Sequence, residues 1–393
     1  MRTADVIVVG AGANGCSIAY HLALAGVKKV AVVERRHIGA GATGKSGALV
    51  RTHYTNEPET RLAFESLRYF MNWKEIVGGE CGFQQVGLLV FVPPECYTHL
   101  EANVAMHREV GANAHIISAE QALELDPSLY VGDVTHLAYE PDSGFADPNA
   151  TAFSFARAAE DRGTTFLLDT EVTKILTEGN RVRGVETTHG VIEAPVVVVA
   201  AGAWANQLFE PLGIDLGLTP SYARVTVFRW ARARSTRHLT YIDRINGTWA
   251  RPVDGNCTLI GVERGVRPAD PNDYTESVSQ EYIEQCRTEL ARRWPVMRHA
   301  TMRGNWAGVI MRSPDERPII DRLPQYEGLY CMTGDSGTSF KTAPAIGKCL
   351  AEWITEGQPK TVDLTPFRST RFAEGKPWVD ENDYGEKQAT ISR

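Results

Sequence analysis

Asp5-Val6-Ile7-Val8-Val9-Gly10-Ala11-Gly12-Ala13-Asn14-Gly15 is the stretch from which the fold of this chain is read. Asp5 to Val9 is β-branched and bounded by glycine, the pattern of a buried parallel strand, and Ser17 to Ala25 carries helical apolar spacing that stops at Gly26. The glycines therefore lie between a strand and a helix. Such a turn lets backbone approach a pyrophosphate, whose charge is met by free N–H groups and the positive end of the helix dipole. Next outward, the apolar run Lys29 to Val33 ends in Glu34, nineteen residues after Gly15. A carboxylate at the end of the second strand takes ribose hydroxyls. A lone GxGxxG is weak evidence, but strand, turn, helix, second strand and terminal acid together specify a dinucleotide site.

Composition narrows the remaining classes. The 393 residues, 43% of them hydrophobic, can bury the cores of two or three domains. With 41 basic against 48 acidic residues the net charge is −7, and no basic block is long enough to follow a phosphate backbone, so no nucleic-acid partner is expected. No apolar stretch reaches the length of a membrane span, and the amino terminus enters a strand directly, so a cytoplasmic location is the expectation. Seven widely spaced cysteines without a CxxC read as buried thiols, and ten histidines show no metal-ligand spacing, so no metal is expected.

The nucleotide pattern does not stay in one block. Thr165-Phe166-Leu167-Leu168, Val172 to Ile175 and Val182 to Val185 read as strands of a small meander. Pro195-Val196-Val197-Val198-Val199-Ala200-Ala201-Gly202-Ala203-Trp204 follows; its four valines need burial on both faces, hence a central parallel strand. A third strand, Leu329 to Thr333, ends at Gly334 and leads into a helix over Ala343 to Ile354, with Pro344 in its first turn. These elements imply one discontinuous α/β domain over 1–82, 147–220 and 302–365. Residues 83–146 and 221–301 alternate and are richer in aromatics, as in an antiparallel or mixed sheet laid over the cofactor. A helix over Val278 to Trp294 is expected on its flank. Residues 366–393 form a charged, weakly periodic tail, read as an oligomer contact or as disorder.

The opening fingerprint, the meander leading into the valine run, Trp306-Ala307-Gly308, Ser313-Pro314-Asp315-Glu316-Arg317-Pro318-Ile319-Ile320-Asp321 and Gly337-Thr338-Ser339-Phe340-Lys341 together resemble the FAD-dependent amine oxidoreductases of the D-amino-acid oxidase and sarcosine oxidase superfamily, nearest to the sarcosine oxidase β-subunit type. The resemblance implies a glutathione-reductase-type FAD-binding Rossmann domain, a substrate domain over the flavin, and oxidation of a C–N bond by hydride transfer to the flavin. On this reading FAD is held by Gly10, Gly12, Ala13, Asn14, Gly15, Glu34, Arg35, Thr43, Ser46, Gly47, Val172, Ala201, Gly202, Trp204, Gly334, Gly337, Thr338, Ser339 and Lys341. The helix after Lys341 would turn its positive end toward the flavin.

The natural handle on an amino-acid substrate is its carboxylate, best gripped by an arginine fork and a second cation. By the resemblance those roles fall to Arg51 and Lys341, with His53 and Tyr54 as pocket-wall candidates. Gly308 stands where monomeric sarcosine oxidases attach the flavin through cysteine, so non-covalent FAD is expected. Leu259 stands where those enzymes carry an oxygen-activating lysine, which leaves oxygen or another electron acceptor open. In the glycine and D-amino-acid branch an arginine stands at the place of Ile310; Arg312 lies two residues on and at strand spacing could point the same way. Tyr222, Tyr241, Trp249 and Arg251 are left outside the site. The leading expectation is oxidation of a secondary or N-methylated amino acid to an imine, then hydrolysed. D-amino-acid or glycine oxidation is the alternative within the class, and a flavin-binding subunit or assembly factor of a larger complex, or a homo-oligomer, the alternative outside it.

Overall fold

A computed structural model describes residues 2–234, 236–253, 256–262, 267–380 and 382–385, and structural statements here concern those residues. Val6–Val9, Val30–Val33 and Val196–Val199 are the centre of a six-stranded sheet in the order Ile319–Arg322, Leu329–Thr333, Val196–Val199, Val6–Val9, Val30–Val33, Thr165–Leu167. All neighbours are parallel except the first pair. The continuous apolar runs are explained by burial on both faces. Val6 and Val8 pack with Cys16, Tyr20, Phe155 and Ile346 of the helices Ala13–Leu24, Pro148–Glu160 and Ala343–Glu356. Ile7 and Val9 face the opposite core, closed by the antiparallel strands Val172–Glu178, Arg181–Thr187 and Gly190–Glu193. Because Val9, Val33 and Val199 pair in register, three strand ends open on one edge.

The second sheet has eight strands, ordered Thr301–Arg312, Thr219–Arg229, Cys257–Val262, Thr248–Val253, Thr240–Asp243, Leu88–Phe91, His136–Glu140, His115–Ser118. It is antiparallel apart from the parallel pair Leu88–Phe91 and Thr240–Asp243, which makes it mixed. Helix Gln280–Arg293, capped by Ser279 Oγ accepting from Tyr282 N, covers one face with Tyr282, Ile283, Cys286 and Leu290. Its last residue, Arg293, is also buried, bonded to Asp243 at 2.6 Å and Asp133 at 2.7 Å, so an internal ion pair sits where apolar spacing alone is read from the sequence.

Three elements differ from the sequence reading. Thr165–Leu167 joins the six-stranded sheet beside Val30–Val33 rather than the meander. Short strands carry no mark of which partner they take, and this one is placed by helix Pro148–Glu160 that precedes it. Thr301–Arg312 runs its whole length beside Thr219–Arg229, so the second sheet extends past position 302. The tail, in its described part, is folded onto the body. Glu381 and residues 386–393 of that segment lie outside the described residues.

The tail is held by polar contacts that a periodicity reading does not register. Arg371 donates to both carboxylate oxygens of Asp315, Nε at 2.7 Å and Nη2 at 2.8 Å, with both side chains buried. Trp378 N also donates to Asp315, Arg317 pairs with Asp380, and buried Tyr384 packs against the second sheet. Burial raises the Asp315 carboxyl, but the Arg371 guanidinium and backbone amides outweigh it and hold it below the ordinary range. Asp315→Ala leaves that guanidinium buried and uncompensated, so unfolding by denaturant is expected to show a loss of about 3–5 kcal/mol.

Two other buried groups tie stability to pH. His21 and His238 each bond a backbone carbonyl through Nδ1, to Ser17 and Leu239, and burial pushes each imidazole down to about 4. An unfolded imidazole titrates near 6.5, so as pH falls the unfolded chain takes up protons first and native stability is lost from about pH 6.5 down to about 4. At about pH 5 the loss should be about 2 kcal/mol per histidine, read as a falling Tm, and His238→Gln should flatten the profile.

Candidate active site

Gly10 begins the turn after Val6–Val9 with φ +102°, and a Cβ there would lie 2.5 Å from the Ala200 carbonyl oxygen. Backbone at the end of Val196–Val199 thus reaches the end of Val6–Val9 only because Gly10 has no side chain. Gly15 packs still more closely, since a Cβ would fall 1.9 Å from the Gly10 oxygen. It supports the turn from behind and does not line the cavity that opens in front. Gly12, Ala13 and Asn14 do line it, at the amino end of helix Ala13–Leu24. Ala13 N donates to Thr43 Oγ1 at 3.0 Å, and Asn14 Nδ2 to Ser339 Oγ at 2.9 Å, joining the turn to two distant segments.

Glu34 lines the cavity beside the glycine turn. Its carboxylate accepts from Ala11 N at 2.8 Å and from Arg36 N at 2.9 Å, fixing it at the mouth of the glycine turn. Arg35 stacks over Trp204 at 4.5 Å, with Val172, Ala201 and Gly202 beside them on the wall. Thr43, Ser46, Gly47, Gly334, Gly337, Ser339 and Lys341 line the same cavity, with Thr43 and Ser339 bonded directly to the glycine turn. The site therefore gathers a helix amino terminus, an acid and two buried cations around one cavity. Those features suit an elongated dinucleotide, and the buried, partnerless Oδ1 of Asn14 offers a further acceptor beside the turn.

Arg51 and Lys341 are the buried cations of the cavity lining. They converge on one ring: the Arg51 guanidinium lies 4.4 Å and the Lys341 ammonium 5.0 Å from the centre of Tyr54. Tyr54 OH and Lys341 Nζ both donate to the Thr338 carbonyl, at 2.9 and 2.8 Å. Thr338 itself stands off the cavity, and its contribution is this carbonyl bridge. Arg51 also donates to the His53 carbonyl.

His53 lies behind the wall, away from the cavity lining. Its Nε2 bonds Tyr384 OH at 2.8 Å, and its ring meets His107 edge to face at 4.6 Å. Burial, then the neighbouring His107 and Arg51, hold its pKa well below the ordinary value, so it is neutral at pH 7. His107, Glu140 and Tyr384 clamp the segment that carries Arg51. His107 Nε2 bonds the Tyr54 carbonyl at 2.7 Å, and Glu140 accepts from Thr52 N and Thr52 Oγ1 at 3.0 and 2.7 Å. His53, His107 and Glu140 come within 4.8 Å of one another although no sequence spacing connects them.

Other placements bear on the chemistry. The cavity lining holds no cysteine, histidine or tyrosine among the described residues. Ile310 lines the cavity whereas Arg312 does not, and Arg312 Nη1 pairs with Glu316 at 2.6 Å. Lys45, to which no sequence pattern assigns a role, lies against Gly308, where a Cβ would be 3.0 Å from its side chain. Burial alone would lower Lys45, but Glu276 at 2.7 Å and Tyr274 at 3.0 Å raise it, so it stays charged. Trp249 is on the wall as well, and Arg251 braces Gly47 through its carbonyl at 2.6 Å. Tyr241 is buried in the core under helix Gln280–Arg293.

A chain with two large sheets, this turn, this acid and a cavity that joins them to buried cations is of the class that binds a flavin dinucleotide beside a substrate pocket. The family model described as DAO, FAD dependent oxidoreductase, matches residues 5–353, and the chain belongs to that family. It is 25% identical over 384 residues to the sarcosine oxidase subunit beta of Rhodobacter capsulatus, covering 96% of this chain and 90% of that one. The crystal structure of L-proline dehydrogenase from P. horikoshii superposes with TM-score 0.89 at 27% identity, covering 96% of this chain and 100% of that chain. Glycine oxidase from Geobacillus kaustophilus follows with TM-score 0.80 at 25% identity, covering 94% and 99%. The protein is an FAD-dependent oxidoreductase. No described helix is long and apolar enough to cross a membrane.

Glu34 tests the dinucleotide end. Removing a carboxylate that can accept charge-assisted bonds costs about 1.5–3 kcal/mol, so Glu34→Ala should retain FAD roughly 10- to 100-fold less tightly, measured by flavin release on dilution.

Proposed function

We propose that the protein oxidises the C–N bond of a small secondary or N-methylated amino acid to the imine, which water then hydrolyses. The observation that carries this reading is that Arg51 and Lys341 both line the cavity and are set side by side on the Tyr54 ring, which itself stands off the lining. A guanidinium fork with a second, point-like cation suits a carboxylate, and holding that carboxylate fixes the α-carbon and nitrogen with respect to the rest of the cavity. FAD, when bound, accepts the hydride.

The chain's own residues bind, orient and exclude water. Among the described residues the cavity lining contributes no histidine, cysteine or tyrosine, which accords with a substrate amine that enters neutral and needs no protein base. It equally accords with FAD held without a covalent bond. The position of Arg312, paired to Glu316 off the cavity, favours the Arg51 and Lys341 handle over the one expected for D-amino-acid or glycine oxidation. Likeness over nearly the full length of a protein named as a β subunit supports a second aspect, that this chain works as one subunit of a larger oxidase.

Anaerobic bleaching of the flavin by a panel of sarcosine, proline, N-methyl and D-amino acids tests the reading. Secondary amines should bleach it, and Arg51→Ala should raise the apparent Kd roughly 30-fold or more, as follows from about 2–5 kcal/mol for one partner of a buried charge pair. Bleaching by primary D-amino acids alone would contradict the reading.

A further inference from the structure

The cavity wall contains one side chain whose position is set by two missing ones. Trp249 stands opposite Gly261 across neighbouring strands of the eight-stranded sheet. A Cβ on Gly261 would lie 2.5 Å from Trp249 Nε1 and 2.6 Å from Cε2. A Cβ on Gly47, in the loop leading to Arg51, would lie 2.1 Å from Cη2 and 2.3 Å from Cζ3. The indole therefore spans from sheet to loop, its pyrrole side seated on Gly261 and its benzo edge on Gly47. Only 8% of the residue remains exposed, and it lines the same cavity as Arg51 and Lys341.

Arg251 locks this arrangement. Two residues along the strand it shares Trp249's face, and its Nε holds the Gly47 carbonyl at 2.6 Å. The loop cannot withdraw from the ring without breaking that bond, and the ring cannot turn without leaving both glycine contacts. A flexible side chain would yield to a larger ligand, but a clamped indole does not.

We propose that Trp249 is a specificity-determining residue: it limits the size of the group that a bound amino acid carries away from its carboxylate, admitting N-methyl, short aliphatic and compact cyclic groups and rejecting bulky ones. This rests on the carboxylate-anchored reading above. The wall also deepens that reading, since a rigid apolar surface in the same cavity as two buried cations orients a substrate that is charged at one end and apolar at the other.

The test compares wild type, Trp249→Phe and Trp249→Ala as FAD-loaded protein. Acetate, benzoate and 1-naphthoate are titrated against the flavin spectrum, and anaerobic reduction is followed with sarcosine, proline and N-benzylglycine. Trp249→Ala should improve the naphthoate-to-acetate affinity ratio and the N-benzylglycine-to-sarcosine rate ratio at least tenfold, with Trp249→Phe between. Ratios unchanged in both variants would overturn the proposal. If no amine reduces the flavin in any variant, the amine-oxidation reading falls, and the carboxylate ratios still decide the wall by the same criterion. If Trp249→Ala fails to fold, the ratios for Trp249→Phe decide it: a rise supports the wall and no change overturns it.

Discussion

The structure depends on the pairing in register of Val9, Val33 and Val199 at one edge of a sheet buried on both faces. Burial on both faces demands the continuous valine runs and leaves no polar residue inside them, so chemistry must be placed where the strands end. At that edge Gly10 lets the Ala200 carbonyl approach to a distance no side chain would tolerate. The glycine turn, Glu34 and the Ala201–Trp204 turn are brought together by sheet geometry. The second sheet adds a cover that carries Gly308, Ile310 and Trp249 over the same opening.

The cation end is assembled differently. Arg51 sits on a short irregular segment whose shape is imposed by neighbours: Glu140 holds Thr52, His107 holds the Tyr54 carbonyl, and Tyr384 from the tail holds His53. Tyr54 then links that segment to Thr338 and Lys341, from the opposite end of the chain. A binding group on a loop needs such bracing to act with a helix-borne partner, because loss of orientation costs as much as loss of charge. His53 belongs to this bracing, set behind the residues that face the cavity.

Local chemistry explains what was legible in the sequence. Gly10 to Gly15 and Glu34 announce a nucleotide because a tight turn, a helix start and a terminal acid are each determined within a few residues. The valine run before Gly202 and the helix after Lys341 are legible for the same reason. What was not legible depends on partners far away in the chain. Thr165–Leu167 gives no sign of pairing with Val30–Val33, and Lys45 gives none of reaching Gly308. Trp249 reads as an ordinary sheet aromatic until Gly47 and Gly261 are seen to make room for it. The tail reads as weakly periodic because Arg371, Trp378 and Asp380 bind through polar contacts to Asp315 and Arg317, which no hydrophobic period records.

The central claim is that one carboxylate is held jointly by Arg51 and Lys341. The measurement that tests it most directly is a crystal structure of the FAD-loaded protein with methylthioacetate, an unreactive analogue of an N-methyl amino acid. The carboxylate is expected within hydrogen-bonding distance of both side chains, with the methylthio group toward Trp249. A carboxylate bound elsewhere in the cavity, or held by neither cation, would contradict it.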